Sequence, residues 1–336
     1  MLLFEIALAN VQARLKMIPK HAAREISSVL TKVKINPDDL TDSTLTNGIP
    51  VIELLSIAKG NLSKESKEWL HYHATSQDTM DTAQVLIVRD ATSLIKERTE
   101  ALIQQLEKIR KKFGNIQCMA RTRGQLAIPI KFGIKIDAWI IPLRRQMQRI
   151  QEFSQRLFCV QLGGAAGDLQ AFAGKGIALS KELARELKLN ASESWHSQRD
   201  VFCELTNWLA IHTGILGKMG ADILVMSQTE VGELTENPNA GNSSSMTHKN
   251  NPVLSESLVA IASINANAQA LQLQSLVHRN ERDGSALILE WSNIPQMLIR
   301  SAVSLHHAQS TCKRMIVHTD AMKKNVEAFR TKYENR

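Results

Sequence analysis

The 336-residue chain has no paired cysteines, no long apolar run and little tyrosine or phenylalanine. Its four cysteines lie far apart and form no C-x-x-C pair, so the sequence indicates neither a zinc site nor a disulfide framework. This cysteine usage predicts a reducing, cytoplasmic location. No uninterrupted apolar stretch approaches the roughly 20 residues that cross a bilayer, so we expect a soluble protein that does not enter a membrane.

Leucine, isoleucine, alanine, lysine, glutamine and glutamate dominate the composition, which favours helix over sheet and predicts a mainly helical protein. The net charge of +8 raises the question of nucleic-acid binding. The basic residues, however, are mixed with acids along helical patterns, which is typical of solvated helix faces. We therefore expect no nucleic-acid partner, and the positive potential has a second use in attracting a polyanionic small substrate.

A seven-residue apolar repeat is the clearest periodic feature and runs through residues 77–113. Its two interleaved series are Val88, Ile95, Leu102 and Ile109, and Val85, Thr92, Thr99 and Leu106. A helix of this length reaches about 55 Å, which suits one member of an extended bundle. Further long helical patterns cover residues 128–161, 197–228, 252–278 and 287–315. The sequence therefore predicts an all-α fold with a bundle of five long helices.

Shorter helices are predicted before the bundle, so we expect a small helical domain over residues 1–76 and the bundle over residues 77–318. Apolar residues in the fourth long helical pattern occupy more than one helical face, which predicts self-association. These residues are Ile261, Ile264, Leu271, Leu273 and Leu276.

The most informative stretch is residues 242–252, Asn-Ser-Ser-Ser-Met-Thr-His-Lys-Asn-Asn-Pro. Glycine, asparagine and proline flank it, and an apolar helical pattern begins directly after it at Val253, so it reads as a loop that leads into a helix N-terminus. Backbone N–H groups at such a terminus, together with Lys249, suit an anion. On composition alone a solvated serine-rich linker is the commoner interpretation.

The residue order favours the anion site, because it resembles the signature loop of the fumarase, aspartase and argininosuccinate lyase superfamily, Gly-Ser-Ser-x-Met-Pro-x-Lys-x-Asn-Pro. The matching residues are Ser243, Ser244, Met246, Lys249, Asn251 and Pro252. Asn242 stands at the glycine position of this motif and Thr247 at its first proline.

A second cluster, His71-Tyr-His-Ala-Thr-Ser-Gln-Asp78, precedes the longest helix. Taken alone, Asp78 and its neighbours are explained by helix capping. The cluster also resembles the superfamily's first signature region, in which threonine and serine hydroxyls hold a substrate carboxylate. The resemblance implies substrate binding by His71, Thr75 and Ser76, with His73 at a position where the family has glycine.

A third cluster, residues 119–129, resembles the family's Arg-Thr-His-x-Gln region. Arg121, Thr122 and Gln125 match it, and Arg123 stands where most members have histidine. Family members that expel hydroxide or an amine need a general acid to protonate the leaving group. A guanidinium cannot donate a proton because its pKa exceeds about 12. Arg123 therefore indicates a reaction in which the group that leaves or adds needs no proton.

A carboxylate is such a group, because it is already stable as an anion. The bacterial 3-carboxy-cis,cis-muconate cycloisomerases, a branch of the superfamily, add a carboxylate across a double bond and likewise lack this histidine. Three further stretches resemble that branch, at residues 47–55, 161–167 and 280–291. The His-Asp pair expected of adenylosuccinate lyases near residues 47–52 is missing.

The resemblance implies a cofactor-free lactonisation of 3-carboxy-cis,cis-muconate to 4-carboxymuconolactone in aromatic-acid catabolism. Ser243 then exchanges a proton with a substrate carbon, and Lys249 assists in catalysis. Positive or amide groups bind the substrate carboxylates, with His71 and Gln125 as positioning groups. The remaining candidates for binding are Thr75, Ser76, Thr122, Arg123, Ser244, Met246, Asn251 and Arg282. No metal site is predicted, because the adjacent His306 and His307 point about 100° apart on a helix.

In this family four subunits pool their bundles and each active site draws on three chains, so the resemblance implies a homotetramer that binds a small polycarboxylate. Family subunits continue into a third helical domain, and we expect residues 319–336 to be its beginning and the sequence to start inside the first domain. Two alternatives remain open: a lyase of the adenylosuccinate or argininosuccinate type that releases fumarate, and a non-catalytic helical interaction protein.

Overall fold

The computed structural model describes residues 1–246 and 249–333 and is mainly helical. Before the longest helix lie five short ones: α1 Leu2–Arg14, α2 Lys20–Leu30, α3 Thr41–Asn47, α4 Val51–Gly60 and α5 Lys64–Lys67. The next elements are α6 Ser76–Phe113, β1 Gln117–Thr122, β2 Gln125–Lys131, α7 Phe132–Leu157 and α8 Gly176–Leu187. The remaining elements are α9 Asp200–Met226, β3 Leu234–Thr235, α10 Val253–Leu273, α11 Gly284–Arg314, β4 Ile316–Val317 and α12 Thr319–Tyr333.

All five predicted long helices are present, as α6, α7, α9, α10 and α11. Both seven-residue series on α6 are buried except for the half-buried Ile109, so the predicted seam faces the interior. Thr92 and Thr99, which interrupt the apolar series, are equally buried. The Thr99 hydroxyl donates to the carbonyl of Ile95 at 2.7 Å, which satisfies its polar group within the helix.

The chain divides into two compact units, each assembled from three segments. Unit 1 contains Met1–Asp90, Phe153–Phe202 and Ser275–Leu287. Unit 2 contains Ala91–Glu152, Cys203–Gln274 and Ile288–Arg336. The division by sequence position into residues 1–76, 77–318 and 319–336 stays a prediction.

In unit 1, α1 is apolar on nearly all sides and packs against both α2 and α8. Its residues Phe4, Leu8 and Val11 share a core with Leu179 and Leu183 of α8. A second core forms where Ala9 and Ala13 of the same helix meet the apolar face of α2. Both cores also include residues of the stretch that precedes α6: Ala74 packs against the first core, and Leu70 and Tyr72 belong to the second.

In unit 2, α7 and α9 are joined by a reciprocal pair of buried hydrogen bonds. Gln146 Nε2 donates to the carbonyl of Trp208 at 2.8 Å, and Trp208 Nε1 donates to the carbonyl of Gln146 at 3.0 Å. By length and composition alone, helix α9 is long and apolar enough to cross a membrane, and half of its most apolar window is buried inside the protein.

A β-hairpin occupies residues 117–131, where the predicted all-α pattern has no strand and the second long helix was expected to begin at residue 128. Arg123 and Gly124 form its two-residue turn with φ values of 53° and 80°. Two consecutive positive φ values are the requirement of a type I′ turn, whose twist matches that of the strands. Helix α7 therefore begins only at Phe132.

The apolar residues expected on more than one helical face differ in burial. On α10, Ile261 is buried, whereas Ile264, Leu271 and Leu273 are each more than two-fifths exposed. Leu276 lies beyond α10, in unit 1, and is exposed to a similar extent. Since successive residues of an α-helix are about 100° apart, Ile264 and Leu271 share one face of α10 and Leu273 lies on the opposite face.

Candidate functional site

Thr75 and the start of α6 form the centre of the first group of candidate residues, which lies in unit 1. The carbonyl of Thr75 accepts from the backbone N–H of Asp78 at 3.0 Å, and Asp78 Oδ2 accepts from the N–H of Thr75 at 3.0 Å. The bond from Thr75 N–H to the Asp78 carboxylate is one half of a capping box, in which the side chain of the third helical residue returns to the N-cap. The capping explanation of Asp78 is therefore correct, and Ser76 becomes the first residue of the helix.

Asp78 also ties α6 to the glycine-rich stretch 163–167. Its carboxylate accepts from the backbone N–H groups of Gly163 at 2.8 Å and Gly164 at 3.1 Å. A side chain on Gly163 would collide with Gly167 and Ser194, which confirms that this stretch serves close backbone packing. Burial raises the pKa of Asp78 to about 7, although the three backbone N–H groups act in the opposite direction.

Arg282 reaches the same turn from the loop that precedes α11. Its Nε donates to Gln77 Oε1 at 3.0 Å, and its Nη2 donates to Thr75 Oγ1 at 2.9 Å and to the carbonyl of Ala165 at 3.1 Å. The structure thus brings together Thr75 and Arg282, two candidates that lie 207 positions apart in the sequence.

His71 and His73 both adopt the left-handed backbone conformation, with φ values of 63° and 59°. This conformation explains why the family has glycine at the position of His73, since glycine adopts it without steric cost. His71 Nδ1 lies 2.8 Å from Oε1 of the buried Glu5, which also accepts from the Thr79 hydroxyl at 2.8 Å. The same Glu5 oxygen therefore contacts both the His71 ring and the first turns of α6.

Sequence reasoning missed an ion pair beneath this turn. Arg199 donates from both Nη atoms to Asp81 at 2.9 Å, and the two side chains are 1% and 0% exposed. Gln77 Nε2 donates to the same carboxylate at 3.0 Å. The guanidinium also packs against the rings of Trp195 and Phe202.

His196 is the second residue that sequence reasoning missed. It is 4% exposed, and its carbonyl accepts from Gln77 Nε2 at 2.6 Å. Its Nε2 lies 3.3 Å from Arg282 Nη2. Burial and the nearby guanidinium of Arg282 lower the pKa of His196 to about 4. The only sequence signal was its position next to Trp195 and three residues before Arg199, since its polar partners lie far away along the chain.

The serine loop lies in unit 2 and is closed at its base by two asparagines. Gly241 has a φ of 76°, and a Cβ there would lie 2.0 Å from the carbonyl oxygen of Asn251. The N–H and Nδ2 of Asn251 both donate to the carbonyl of Gly241, at 2.8 Å and 3.0 Å. Nδ2 of Asn250 donates to the carbonyls of Asn237 and Ala240. Only glycine fits at position 241, and the amide of Asn251 holds the loop.

Ser243 stands half-buried at the start of the loop, whereas Ser244, Met246 and Lys249 are exposed. The Ser243 hydroxyl oxygen accepts from the N–H of Met246 at 3.2 Å and more weakly from that of Ser245 at 3.4 Å. These N–H groups are the donors that the structure places at this oxygen. Thr247, at the first proline position of the motif, lies outside the described residues.

The helix N-terminus that follows the loop differs from the prediction. Glu236 Oε1 accepts from the N–H of Leu254 at 3.0 Å, and Oε2 accepts from the N–H and the hydroxyl of Ser255 at 2.6 Å and 2.5 Å. The carboxylate of Glu236 is therefore the anion bound at the first turn of α10, and these N–H groups are not available to a substrate. Beside Glu236, a cavity of about 700 Å³ is lined by Lys249, Asn251 and the residues around Thr229.

Thr122, Arg123 and Gln125 surround the hairpin turn in unit 2 and are all exposed. Thr122 and Gln125 face each other as the last pair of the ladder, and Arg123 projects from the turn itself. The hairpin thus presents the residue that replaces the family's histidine at a strand end, where its guanidinium is open to solvent.

Among residues 1–246 and 249–333, no group of three or more histidine, cysteine, aspartate or glutamate side chains is arranged to hold a metal ion. The four cysteines are buried, and burial raises the pKa of the Cys118 thiol to about 11 and that of Cys312 to about 12. Neither of these two thiols is a reactive nucleophile at neutral pH.

Comparison with known proteins places this geometry in a family. The family described as Lyase matches residues 3–264. Trans-aconitate decarboxylase 1 of Mycosarcoma maydis is 34% identical over 96% of this chain and 66% of its own length. The 3-carboxy-cis,cis-muconate cycloisomerase of Acinetobacter baylyi is 33% identical over 96% of this chain and 73% of its own length. The chain thus spans about two thirds to three quarters of these relatives.

The crystal structure of 3-carboxy-cis,cis-muconate lactonizing enzyme from Pseudomonas putida aligns with a TM-score of 0.92 and 31% identity, covering 98% of this chain and 74% of that one. The chain belongs to the Lyase family, which is the fumarase/aspartase superfamily, and the predicted all-α fold is confirmed. These similarities identify the chain as an enzyme of the lyase superfamily, whose members named above catalyse different reactions.

Proposed function

We propose that this protein is a cofactor-free enzyme that closes 3-carboxy-cis,cis-muconate to 4-carboxymuconolactone. The observation that carries the proposal is Arg123 at the motif position of the general-acid histidine. A guanidinium stays charged and cannot protonate a leaving group, so the group that leaves or adds must be stable without a proton. A carboxylate meets this condition.

The reaction is an intramolecular addition. One substrate carboxylate attacks an alkene carbon and forms the C–O bond of the lactone, while the electron pair of the double bond moves onto the neighbouring carbon and its carboxylate. A proton then adds to that carbon. Ser243 exchanges this proton, because a hydroxyl whose oxygen accepts from the N–H of Met246 has a stabilised alkoxide.

Positively charged residues at two places stabilise the negative charge of the substrate. Lys249 supplies a full positive charge from the far end of the serine loop. Arg282 and Thr75 bind a substrate carboxylate at the start of α6, where the guanidinium already contacts the threonine hydroxyl. Because negative charge builds up on the substrate in the transition state, positive groups aimed at it supply the largest catalytic contribution.

The active enzyme is proposed to be a homotetramer whose sites combine these groups from neighbouring subunits. The exposed side chains of Ile264 and Leu271, which share one face of α10, support this proposal, since a second copy of the bundle would bury them. Sedimentation of the purified protein tests it, and a monomer at micromolar concentration contradicts it.

A second candidate reaction is the decarboxylation of a small tricarboxylate. The similarity to trans-aconitate decarboxylase 1 favours it, and so does Arg123, because carbon dioxide also leaves without being protonated. In this reaction the C–C bond breaks, its electrons move to the adjacent carbon, and a proton adds to the remaining product.

A product assay with three substrates separates the candidates. Purified protein is given 3-carboxy-cis,cis-muconate, trans-aconitate or adenylosuccinate, and lactone, carbon dioxide and fumarate are measured. Lactone formation supports our proposal, and carbon dioxide release supports the second candidate. Fumarate from adenylosuccinate with no lactone contradicts the argument from Arg123. Turnover of none of the three, with Ser243→Ala identical to wild type in ligand binding, indicates a non-catalytic helical protein.

A further inference from the structure

The His196 ring contacts donor groups at both of its nitrogens. Its Nδ1 lies 3.4 Å from Gln161 Nε2, and its Nε2 lies 3.3 Å from Arg282 Nη2. A neutral imidazole has one N–H and one lone pair, so it can accept from only one of these two groups.

The orientation of Gln161 decides which nitrogen accepts. Gln161 Oε1 accepts from the backbone N–H of Trp195 at 2.9 Å, so the amide nitrogen must point towards the ring. That nitrogen also lies 3.2 Å from Ser194 Oγ and 3.5 Å from Asp78 Oδ1. A hydrogen-bond network of this kind assigns both the amide orientation and the tautomer. The two hydrogens of the amide are shared among these acceptors, and a proton on His196 Nδ1 would point at a donor, so we assign the His196 proton to Nε2.

The Nε2–H group then faces the Arg282 guanidinium, which has no lone pair that could accept a hydrogen bond. Both hydrogens of Arg282 Nη2 are used, by Thr75 Oγ1 at 2.9 Å and by the carbonyl of Ala165 at 3.1 Å. Within the described part of the chain, no group accepts from Arg282 Nη1. His196 Nε2–H, Arg282 Nη1 and the hydroxyl hydrogen of Thr75 are thus three donors in one place, and an anionic oxygen is the partner that satisfies them.

We propose that His196 is a substrate-binding residue, which donates from Nε2 to a substrate carboxylate held with Arg282 and Thr75. Gln161 is the positioning residue that fixes its tautomer. This inference rests on the proposed function in one respect, namely that the substrate is a polycarboxylate. In the ligand-free protein, burial and the Arg282 guanidinium lower the pKa of His196 to about 4, so the ring is neutral when it meets the substrate at pH 7.

Two variants of the full chain test the donor. His196→Leu removes the hydrogen bond, whereas His196→Gln keeps an amide N–H at about the reach of Nε2. We expect the leucine variant to raise KM by about 10- to 100-fold with a smaller change in kcat, because a hydrogen bond to a charged group is lost. The glutamine variant should stay within a few-fold of wild type. A folded glutamine variant that loses as much as the leucine variant overturns the proposal.

Binding of tricarballylate, an unreactive tricarboxylate, separates this inference from the proposed reaction. Calorimetry should give the same weakening for the leucine variant and the same recovery with glutamine. If no substrate is turned over but this pattern holds, the proposed reaction fails and the carboxylate subsite stands. If both variants bind tricarballylate as tightly as wild type, the subsite is disproved whatever the turnover.

The charge of His196 is tested by pH with a matched control. The ratio of tricarballylate Kd values for His196→Gln and wild type cancels the protonation of the ligand itself. We expect this ratio to stay constant from pH 8 to 5.5, because the ring is neutral throughout. A ratio that rises as the pH falls below 6.5 shows that His196 binds as a cation, which contradicts the proposal.

The tautomer is measured directly by long-range ¹H–¹⁵N spectra of ¹⁵N-histidine-labelled protein, in which the signal absent from His196→Gln identifies the ring. A proton on Nε2 is expected. A proton on Nδ1 overturns the assignment even if the leucine variant does not fold.

Discussion

Around Thr75 the candidate residues rest on a buried network, whereas around Ser243 they lie on an exposed loop. Beneath the Thr75 turn, Asp78, Asp81 and Arg199 are fully or almost fully buried and hydrogen-bonded. In the serine loop, side chains from Ser244 to Met246 are exposed, and the loop is held at its base. Substrate binding is therefore expected to rely on rigid packing, and proton exchange on a segment with few contacts of its own.

The difference has a physical reason. A carboxylate subsite gains most from donors that are fixed in advance, since no energy is then spent in ordering them. Each buried charge in such a network must be paired, which makes the region important for stability as well as binding. An exposed loop has no buried charges that must be paired, so substitutions there should affect the reaction without unfolding the protein.

The sharpest test of this contrast is Ser243→Ala. We expect turnover of 3-carboxy-cis,cis-muconate, followed by its ultraviolet absorbance, to fall by about 1,000-fold because the proton-exchanging group is lost. The thermal unfolding midpoint should stay close to wild type. Ser245→Ala is the matched control on the same loop and should keep most of the activity. Equal activity of the two variants would show that Ser243 has no role in proton exchange.

The converse change is Arg199→Leu in the buried network. It leaves the Asp81 carboxylate without its charged partner, and we expect the free energy of unfolding to fall by about 3–5 kcal/mol in urea titrations. The double variant Asp81→Asn with Arg199→Leu removes both charges and should recover part of this loss. If Arg199→Leu is as stable as wild type, the buried network does not contribute more to stability than the serine loop.

His212 offers a test of acid stability away from both groups. Within the described residues neither ring nitrogen has a hydrogen-bond partner, and burial lowers the pKa of His212 to about 4. The unfolded chain binds a proton near pH 6.5 and the folded chain only near pH 4, so this residue reduces stability as the pH falls through that window.

We therefore expect His212→Leu to lose less stability than wild type between pH 7 and 4.5, by about 2–3 kcal/mol at the lower end. Urea titrations at several pH values measure the difference. Parallel curves for the two proteins across this range would show that His212 does not titrate differently on folding.

The smallest expected effect is that of Glu236→Gln, at the base of the serine loop. The variant weakens the hydrogen bonds to Leu254 and Ser255 and removes a negative charge from the N-terminus of α10, which should cost about 1–2 kcal/mol. Hydrogen exchange should increase at the first turn of α10 and leave the Thr75 region unchanged. Increased hydrogen exchange in the Thr75 region as well would show that the two regions do not behave independently.

The helices could be predicted from the sequence, and the hairpin at residues 117–131 was missed for an identifiable reason. Helical periodicity is a local property, and on α6 it extends over 38 residues. The strands of the hairpin are only six and seven residues long, and the second was interpreted as the start of a long helix. Two signals were present: Leu126, Ile128 and Ile130 alternate along β2, and the pair Arg123-Gly124 suits a two-residue turn because glycine adopts positive φ readily.

By itself the sequence determined the long helices, the position of the loop before α10 and the residue types at the motif positions, because each of these depends on neighbours along the chain. The tertiary structure alone decided that Arg282 meets Thr75, that Arg199 is buried on Asp81, and that Glu236 occupies the N-terminus of α10. These contacts join residues 18 to 207 positions apart, and their chemistry is set by burial and by donor geometry, which no spacing along the chain encodes.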